Sequence, residues 1–234
     1  EDFDFIIGMT GNPNVGKSSI FNGLTGMHQH TGNWTGKTIE SSFGICNYKD
    51  KKILIADLPG TYSLSSYSKE EDVTYDFIAS KNYDGLVIVV DATALERNLN
   101  LVLQILELTS KVVVCVNLLD EAEKKKIKID LDKLSEMLGV PVIGTVAMKK
   151  DTLEKVKIKM CEITENEEAI RKFNNSEEIV EEASRIAQEV VSKEDMSLER
   201  NLKFDKILTS KKWGIPIMIG MLGVVFWITI VLAN

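Results

Sequence analysis

Gly11-Asn12-Pro13-Asn14-Val15-Gly16-Lys17-Ser18 follows an apolar run (Phe3, Phe5, Ile6, Ile7) and leads into Ser19, Ile20, Phe21, Asn22 and Leu24. The octet fits G-x-x-x-x-G-K-[ST], the P-loop, and its flanks supply the strand–loop–helix context that the motif requires. Glycines let backbone N–H groups turn inward around phosphates. Lys17 brings a positive charge toward the β- and γ-phosphates, and the Ser18 hydroxyl is a hard ligand for Mg²⁺. A glycine-rich turn with an incidental lysine is the plain alternative, and these flanks argue against it. Gly11 to Ser19 is therefore the expected phosphate-binding segment.

Outward from the loop the chain alternates between strand-like and helix-like stretches. The expected strands are Phe3–Met9, Phe43–Tyr48, Lys52–Asp57, Gly85–Asp91, Val112–Asn117 and Val142–Val146. Lys49-Asp50-Lys51 is a hairpin-length turn between the second and third. The pattern predicts an α/β fold with a mostly parallel six-stranded sheet and helices on both faces. Leu131–Leu138 reads as a helix with Asp130 as its cap and Gly139 ending it before Pro141. Asp151 and Glu154 have the spacing of a capping box for another.

Two later motifs complete a nucleotide site. Ile53-Leu-Ile-Ala-Asp57-Leu58-Pro59-Gly60 is an apolar strand ending in D-x-x-G. Its aspartate can hold Mg²⁺ through water and its glycine N–H can meet a γ-phosphate. The motif is weak alone and strong at about 40 residues after a P-loop. Val112-Val-Val-Cys-Val-Asn117-Leu118-Leu119-Asp120 ends a second apolar strand in N-x-x-D. An aspartate accepts both N1–H and N2–H₂ of guanine, and adenine offers no such pair. Asn117 can serve the other edge and tie down the P-loop. In Thr145-Val146-Ala147 a backbone N–H can donate to guanine O6. A helix cap would explain Asn117 or Asp120 singly but explains the ordered set poorly.

Composition narrows the class. Of 234 residues 44% are hydrophobic and 27% charged, which suits one ordinary globular domain with an appendage. The net charge of −7 and a pI near 5.1 give no basic footprint for nucleic acid. Cys46, Cys115 and Cys161 are widely spaced, which suggests thiols in a reducing compartment and no disulfide framework. His28 and His30 lack a nearby cysteine or carboxylate cluster and read as surface or switch-loop residues. Lys124–Lys126 lie among acidic residues and read as a solvated face.

Toward the C-terminus the character changes. From about Ile163 to Ser210 charged residues dominate and no strand-like run is evident. Ile179, Ala183, Ile186 and Val190 form a helical stripe, widened by Val180, Ala187 and Val191. This reads as a small helical subdomain, with an amphipathic spacer as the plain alternative. From Trp213 to Ala233 there are 21 residues without a charge. As a helix they would span roughly 31 Å, enough to cross a bilayer's hydrocarbon core. Lys211 and Lys212 precede the span and would keep the preceding chain in the cytoplasm. The expected divisions are 1–162, 163–210 and 211–234, the last being the first transmembrane helix of a longer membrane protein.

The order GNPNVGKS, DLPG, NLLD and TVA resembles a translation-factor-class small GTPase. His30-Thr-Gly32-Asn33-Trp34-Thr-Gly-Lys-Thr38-Ile-Glu40, with Asp57-Leu-Pro-Gly60-Thr-Tyr-Ser-Leu, resembles the cytoplasmic N-terminal part of the ferrous iron transport protein B family. That family has a G domain, then a helical domain, then a multi-span membrane region. The resemblance implies that Thr38 closes on Mg²⁺ and the γ-phosphate in switch I. It also implies that Asn14 and the backbone carbonyls of Gly32 and Trp34 hold K⁺. The metal sets are then Ser18, Thr38 and Asp57 for Mg²⁺, and Asn14, Gly32 and Trp34 for K⁺. The catalytic set is Asn14, Lys17, Thr38 and Gly60.

Two positions depart from Ras-like chemistry. Thr61 and Tyr62 stand where a glutamine would orient the attacking water, which predicts slow intrinsic turnover. Leu118 replaces the lysine of N-K-x-D, which predicts modest guanine affinity. Val146 replaces the more usual serine of the last base-binding loop. The expected function is a K⁺-stimulated GTPase on a ferrous iron transporter in the cell (inner) membrane. Its partners would be GTP and GDP, the membrane through Trp213–Ala233, the remaining transmembrane region and ferrous iron. Homo-oligomers are compatible with this, and nucleic acid is not a partner. A soluble or singly anchored regulatory GTPase is the alternative, with cation dependence as the discriminator.

Overall fold

The computed structural model describes residues 3–26, 29–33, 40–64, 69–146, 150–165 and 170–193. In chain order the elements are β1 (Phe5–Gly11), α1 (Lys17–Thr25), β2 (Gln29–Asn33), β3 (Glu40–Tyr48), β4 (Lys51–Asp57) and α2 (Lys69–Ser80). They continue with β5 (Gly85–Asp91), a 3₁₀ turn (Ala92–Ala94), α3 (Leu95–Leu106), β6 (Val112–Asn117), α4 (Leu119–Lys124) and β7 (Ile127–Ile129). The last are α5 (Leu131–Leu138), β8 (Val142–Gly144), α6 (Lys150–Thr164), α7 (Ser176–Val190) and β9 (Val191–Lys193).

Among the described residues the main sheet has seven strands in the order β2-β3-β4-β1-β5-β6-β8. β1, β4, β5, β6 and β8 run parallel, while β2 and β3 pair antiparallel at one edge. The expected six strands are corrected to seven. The missed strand, β2, reads Gln-His-Thr-Gly-Asn and has no apolar alternation to betray it. It is an edge strand, paired antiparallel to β3. A second, two-stranded sheet joins β7 to β9.

Why the centre of the sheet is parallel follows from composition. β5 and β6 read Gly-Leu-Val-Ile-Val-Val-Asp and Val-Val-Val-Cys-Val-Asn, buried over nearly their whole length. Such continuous apolar strands are stable only when helices cover both faces. On one face Ile20, Phe21 and Leu24 of α1 meet Val156, Met160 and Ile163 of α6. On the other, Phe77 and Ile78 of α2, Leu99 and Val102 of α3, Leu134 of α5 and Ile186 of α7 form the core.

Several ends match their sequence signals. Asp130 accepts from the Lys133 N–H at 3.0 Å, and Gly139 ends α5 in the left-handed region at φ 71°. Lys49 (φ 51°) and Asp50 make the β3–β4 turn, so Lys51 belongs to β4. Asp151 lies inside α6, which begins at Lys150, and is therefore not its cap. On α7, Ile179, Ala183, Ile186, Ala187 and Val190 are buried, but Val180 is 56% exposed and lies off the stripe. The helix packs on α3 and α5 within the compact unit that reaches Ser192. Arg171 anchors its approach, with its N–H donating to the Leu106 carbonyl at 3.1 Å and its guanidinium to the Met137 carbonyl. β9 is a strand where none was expected after Ile163.

Among the described residues no helix is long and apolar enough to cross a membrane. The Trp213–Ala233 segment lies outside the described residues.

Candidate nucleotide site

The P-loop, D-x-x-G, N-x-x-D and Thr145-Val146 segments each fall at the carboxyl end of a strand. Gly11 ends β1, Asp57 ends β4, Asn117 ends β6, and Thr145 follows β8. The register aligns Met9 with Asp57, Gly11 with Val89, and Asp91 with Asn117. In open parallel sheets this is the edge where ligands bind, because the strand order reverses there and the loops splay apart.

The P-loop has the backbone that its composition requires. Asn14 sits at φ 65° and Gly16 at φ 82°. A Cβ added at Gly16 would run into the Asn117 side-chain amide, and one at Gly11 into the Val89 carbonyl. Gly16 opens α1 without a side-chain cap. The first N–H groups of the helix are thus left for an anion, which the helix dipole also favours. Asn12, Pro13, Asn14, Gly16, Lys17, Ser18, Ser19 and Gly60 line a cavity of about 530 Å³. The Lys17 ammonium is ion-paired with the Asp57 carboxylate.

Asn117 is fully buried and ties the base side to the phosphate side. Its amide donates to the Val15 carbonyl at 2.9 Å, and its carbonyl accepts from the Thr145 hydroxyl at 3.3 Å. The Thr145 N–H in turn donates to the Val116 carbonyl at 2.8 Å. Leu118, at φ 62°, turns the chain into α4 and leaves Asp120 exposed in its first turn, next to Leu119. Val146 is half-buried beyond Thr145.

The D-x-x-G segment is stitched to β1 and α3. Leu58 N–H donates to the Met9 carbonyl at 2.9 Å, and Thr61 N–H to the Gly11 carbonyl at 3.1 Å. The Pro59 carbonyl accepts from Thr74 at 3.3 Å. Thr61 is buried, and its hydroxyl donates to the Ser63 carbonyl at 2.6 Å. The Gln104 carboxamide oxygen accepts from Leu64 N–H at 2.7 Å and from the Ser63 hydroxyl at 3.3 Å. The Arg97 guanidinium lies 5.3 Å from the centre of the Tyr62 ring. Sequence reasoning missed Gln104 and Arg97. Their contacts lie about 40 residues away in the chain, and a polar residue on a helix carries no local mark of such a partner.

The structure thus brings together Gly11 to Ser19, Asp57 to Gly60, Asn117 to Asp120, Thr145 and Val146. Gly32 lies in β2, opposite Ser41. Thr38, Trp34, Ala147 and His28 lie outside the described residues. The Asp57 carboxylate and Ser18 hydroxyl are hard oxygen donors beside one cavity, chemistry that fits Mg²⁺. Among the described residues no trio of His, Cys, Asp or Glu is placed to hold a metal by itself. Asp91 instead accepts from Thr93 N–H at 2.7 Å and caps the 3₁₀ turn.

Known proteins are similar to this chain in sequence and fold. The Fe(2+) transporter FeoB of Helicobacter pylori (strain J99) is 39% identical over 236 residues, which cover 95% of this chain and 37% of that protein. The chain therefore spans little more than a third of that curated relative. A GDP-bound mutant of the S. thermophilus FeoB G domain superposes with a TM-score of 0.66 at 41% identity, over 73% of this chain and 66% of that one. The cytosolic domain of the T. maritima FeoB iron transporter in its GMPPNP form gives 0.72 at 26% identity, over 80% and 99%. These relatives share the P-loop G-domain fold with its mostly parallel sheet. The model of the family described as ferrous iron transport protein B matches residues 5–160, from β1 through the three motifs and into α6, and the chain belongs to that family.

Proposed function

We propose that residues 1–162 bind and hydrolyse GTP with Mg²⁺ on behalf of a ferrous iron transporter. The observation that carries this reading is the Asn117 bridge, which joins the base-side loop to the P-loop through Val15 and to Thr145. With it, residues suited to phosphate, Mg²⁺ and guanine lie along one sheet edge.

Lys17 would leave Asp57 and meet the β- and γ-phosphates, while the P-loop N–H groups hold the phosphate oxygens. Gly60 N–H would donate to the γ-phosphate. Ser18, Asp57 and Thr38 would hold Mg²⁺, which supplies charge neutralisation at the phosphates. Asn14, with the Gly32 and Trp34 carbonyls, would hold K⁺ beside the β/γ bridge, where a cation offsets developing charge. Asp120 would accept from guanine N1–H and N2–H₂, with Val146 and Ala147 near O6. Hydrolysis would proceed by in-line attack of water. The Thr61 hydroxyl faces the Ser63 carbonyl, so backbone groups or outer residues must orient that water, which supports slow turnover.

Residues 163–210 would carry changes of the loops Gly32–Thr38 and Gly60–Ser68 toward a membrane span in 211–234. This places the domain on the cytoplasmic side of the cell (inner) membrane, with Fe(II) as cargo of the whole protein. Calorimetry with a non-hydrolysable GTP analogue and Mg²⁺ tests the site, and absence of binding would overturn it. Asp120→Asn should shift preference from guanine toward xanthine nucleotides, and unchanged selectivity would refute the base assignment.

A further inference from the structure

We propose that Gln104 is a positioning residue that latches the segment Thr61–Leu64 in a resting arrangement, so that releasing it favours the triphosphate over the diphosphate. The proposal rests on the GTP reading above.

Three observations converge on this segment. First, one oxygen of Gln104 accepts from both Leu64 N–H at 2.7 Å and the Ser63 hydroxyl at 3.3 Å. Arg97, two helical turns earlier on α3, adds a cation–π contact to Tyr62. The helix therefore grips the segment at three consecutive residues.

Second, the same arrangement pins the residue beside Gly60 and keeps the P-loop lysine occupied. Lys17 is paired with Asp57, and the Thr61 N–H, next to Gly60, is held by the Gly11 carbonyl.

Third, the arrangement carries an internal cost. Asn12 is 1% exposed, lines the phosphate cavity, and has neither carboxamide atom hydrogen-bonded. The Thr10 hydroxyl, two residues back along the same strand direction, is also buried and without a partner. Buried polar atoms without partners are costly, and a second loop arrangement that supplied partners would be favoured by that amount. The Gln104 contacts oppose this tendency. Two arrangements that lie close in free energy, separated by a few hydrogen bonds, are what a nucleotide-driven loop needs.

The test uses the full chain with GDP and a fluorescent non-hydrolysable GTP analogue, each with Mg²⁺. Gln104→Leu removes the acceptor at similar volume and should tighten analogue binding about tenfold, as expected for one to two net hydrogen bonds. GDP affinity should stay within about twofold. Gln104→Glu keeps an acceptor oxygen and should behave like the parent protein. Amide exchange at Leu64 should accelerate in the leucine variant and not in the glutamate variant. If Gln104→Leu unfolds, Ser63→Ala removes one donor and should move the same ratio about threefold. An unchanged analogue-to-GDP ratio in a folded variant, or an equal change in the glutamate variant, would overturn the latch and leave the GTP site standing. A parent protein that binds neither nucleotide would instead remove the GTP reading on which the latch rests.

Discussion

Gly16 shows how little freedom the site has. Its φ of 82° is open to an L-residue only at a cost of roughly 1–2 kcal/mol, and its missing Cβ makes room for the Asn117 amide. Gly16→Ala should therefore push Asn117 off Val15 as well as strain the loop. GTP turnover should fall on the order of 100-fold in a phosphate-release assay, since misplacing a positioning group by about 1 Å can cost that much in rate. Asn14 is the residue proposed for K⁺. It is exposed, in the left-handed region, and lines the phosphate cavity. Phosphate release should be faster in K⁺ than in Na⁺ buffer, and Asn14→Ala should erase the difference. A variant that still discriminates between the two cations would remove Asn14 from that role.

At the scale of elements, both ends of α5 and the centre of the α7 stripe were legible because each rests on near neighbours, while the Asp151 capping box was misplaced. Asp130 and Gly139 bound α5 as the local pattern requires, and removing the cap should cost about 1 kcal/mol in urea unfolding of the Asp130→Ala variant. α7 separates what periodicity tells from what packing decides. Ala183 is fully buried against the core, whereas Val180 is 56% exposed. Val180→Asp should change stability by less than about 0.5 kcal/mol, and Ala183→Asp should destabilise by about 3 kcal/mol or more. A widened apolar stripe cannot tell its rim from its centre, because the rim is set by how closely α3 and α5 approach. β2 and β9 were illegible for a related reason. Neither reads in the sequence as an alternating apolar run; β2 exists by pairing with its neighbour β3, and β9 by pairing with β7 far back in the chain.

For the whole molecule, the depth of the sheet governs its thiols. Cys115 lies at the centre of β6, and burial pushes its thiol up to about 12. Cys46 is buried on β3 and is raised to about 11, chiefly by desolvation, against a lowering influence from Lys157. Cys161 on α6 is only partly buried. Alkylation of the native protein at pH 8, read by mass spectrometry, should modify Cys161 first. Cys46 and Cys115 should react only with unfolded chain, because thiolate and access are both lacking. Early labelling of Cys115 would mean that the sheet opens far below global unfolding.

The motifs of the proposed site could be read from the chain alone, since a P-loop, D-x-x-G and N-x-x-D are short segments whose residue types suit phosphate, magnesium and guanine. The alternation of strands and helices was likewise readable, because apolar runs and helix periods are local. What only the tertiary structure decided was which distant residues meet. Asn117 reaches Val15 across 102 positions, Lys17 meets Asp57, and Gln104 takes hold of Leu64. Such contacts depend on the order of strands in the sheet and on the faces that helices present. Those are settled by burying both sides of the sheet at once, a condition on the entire chain that no single segment records.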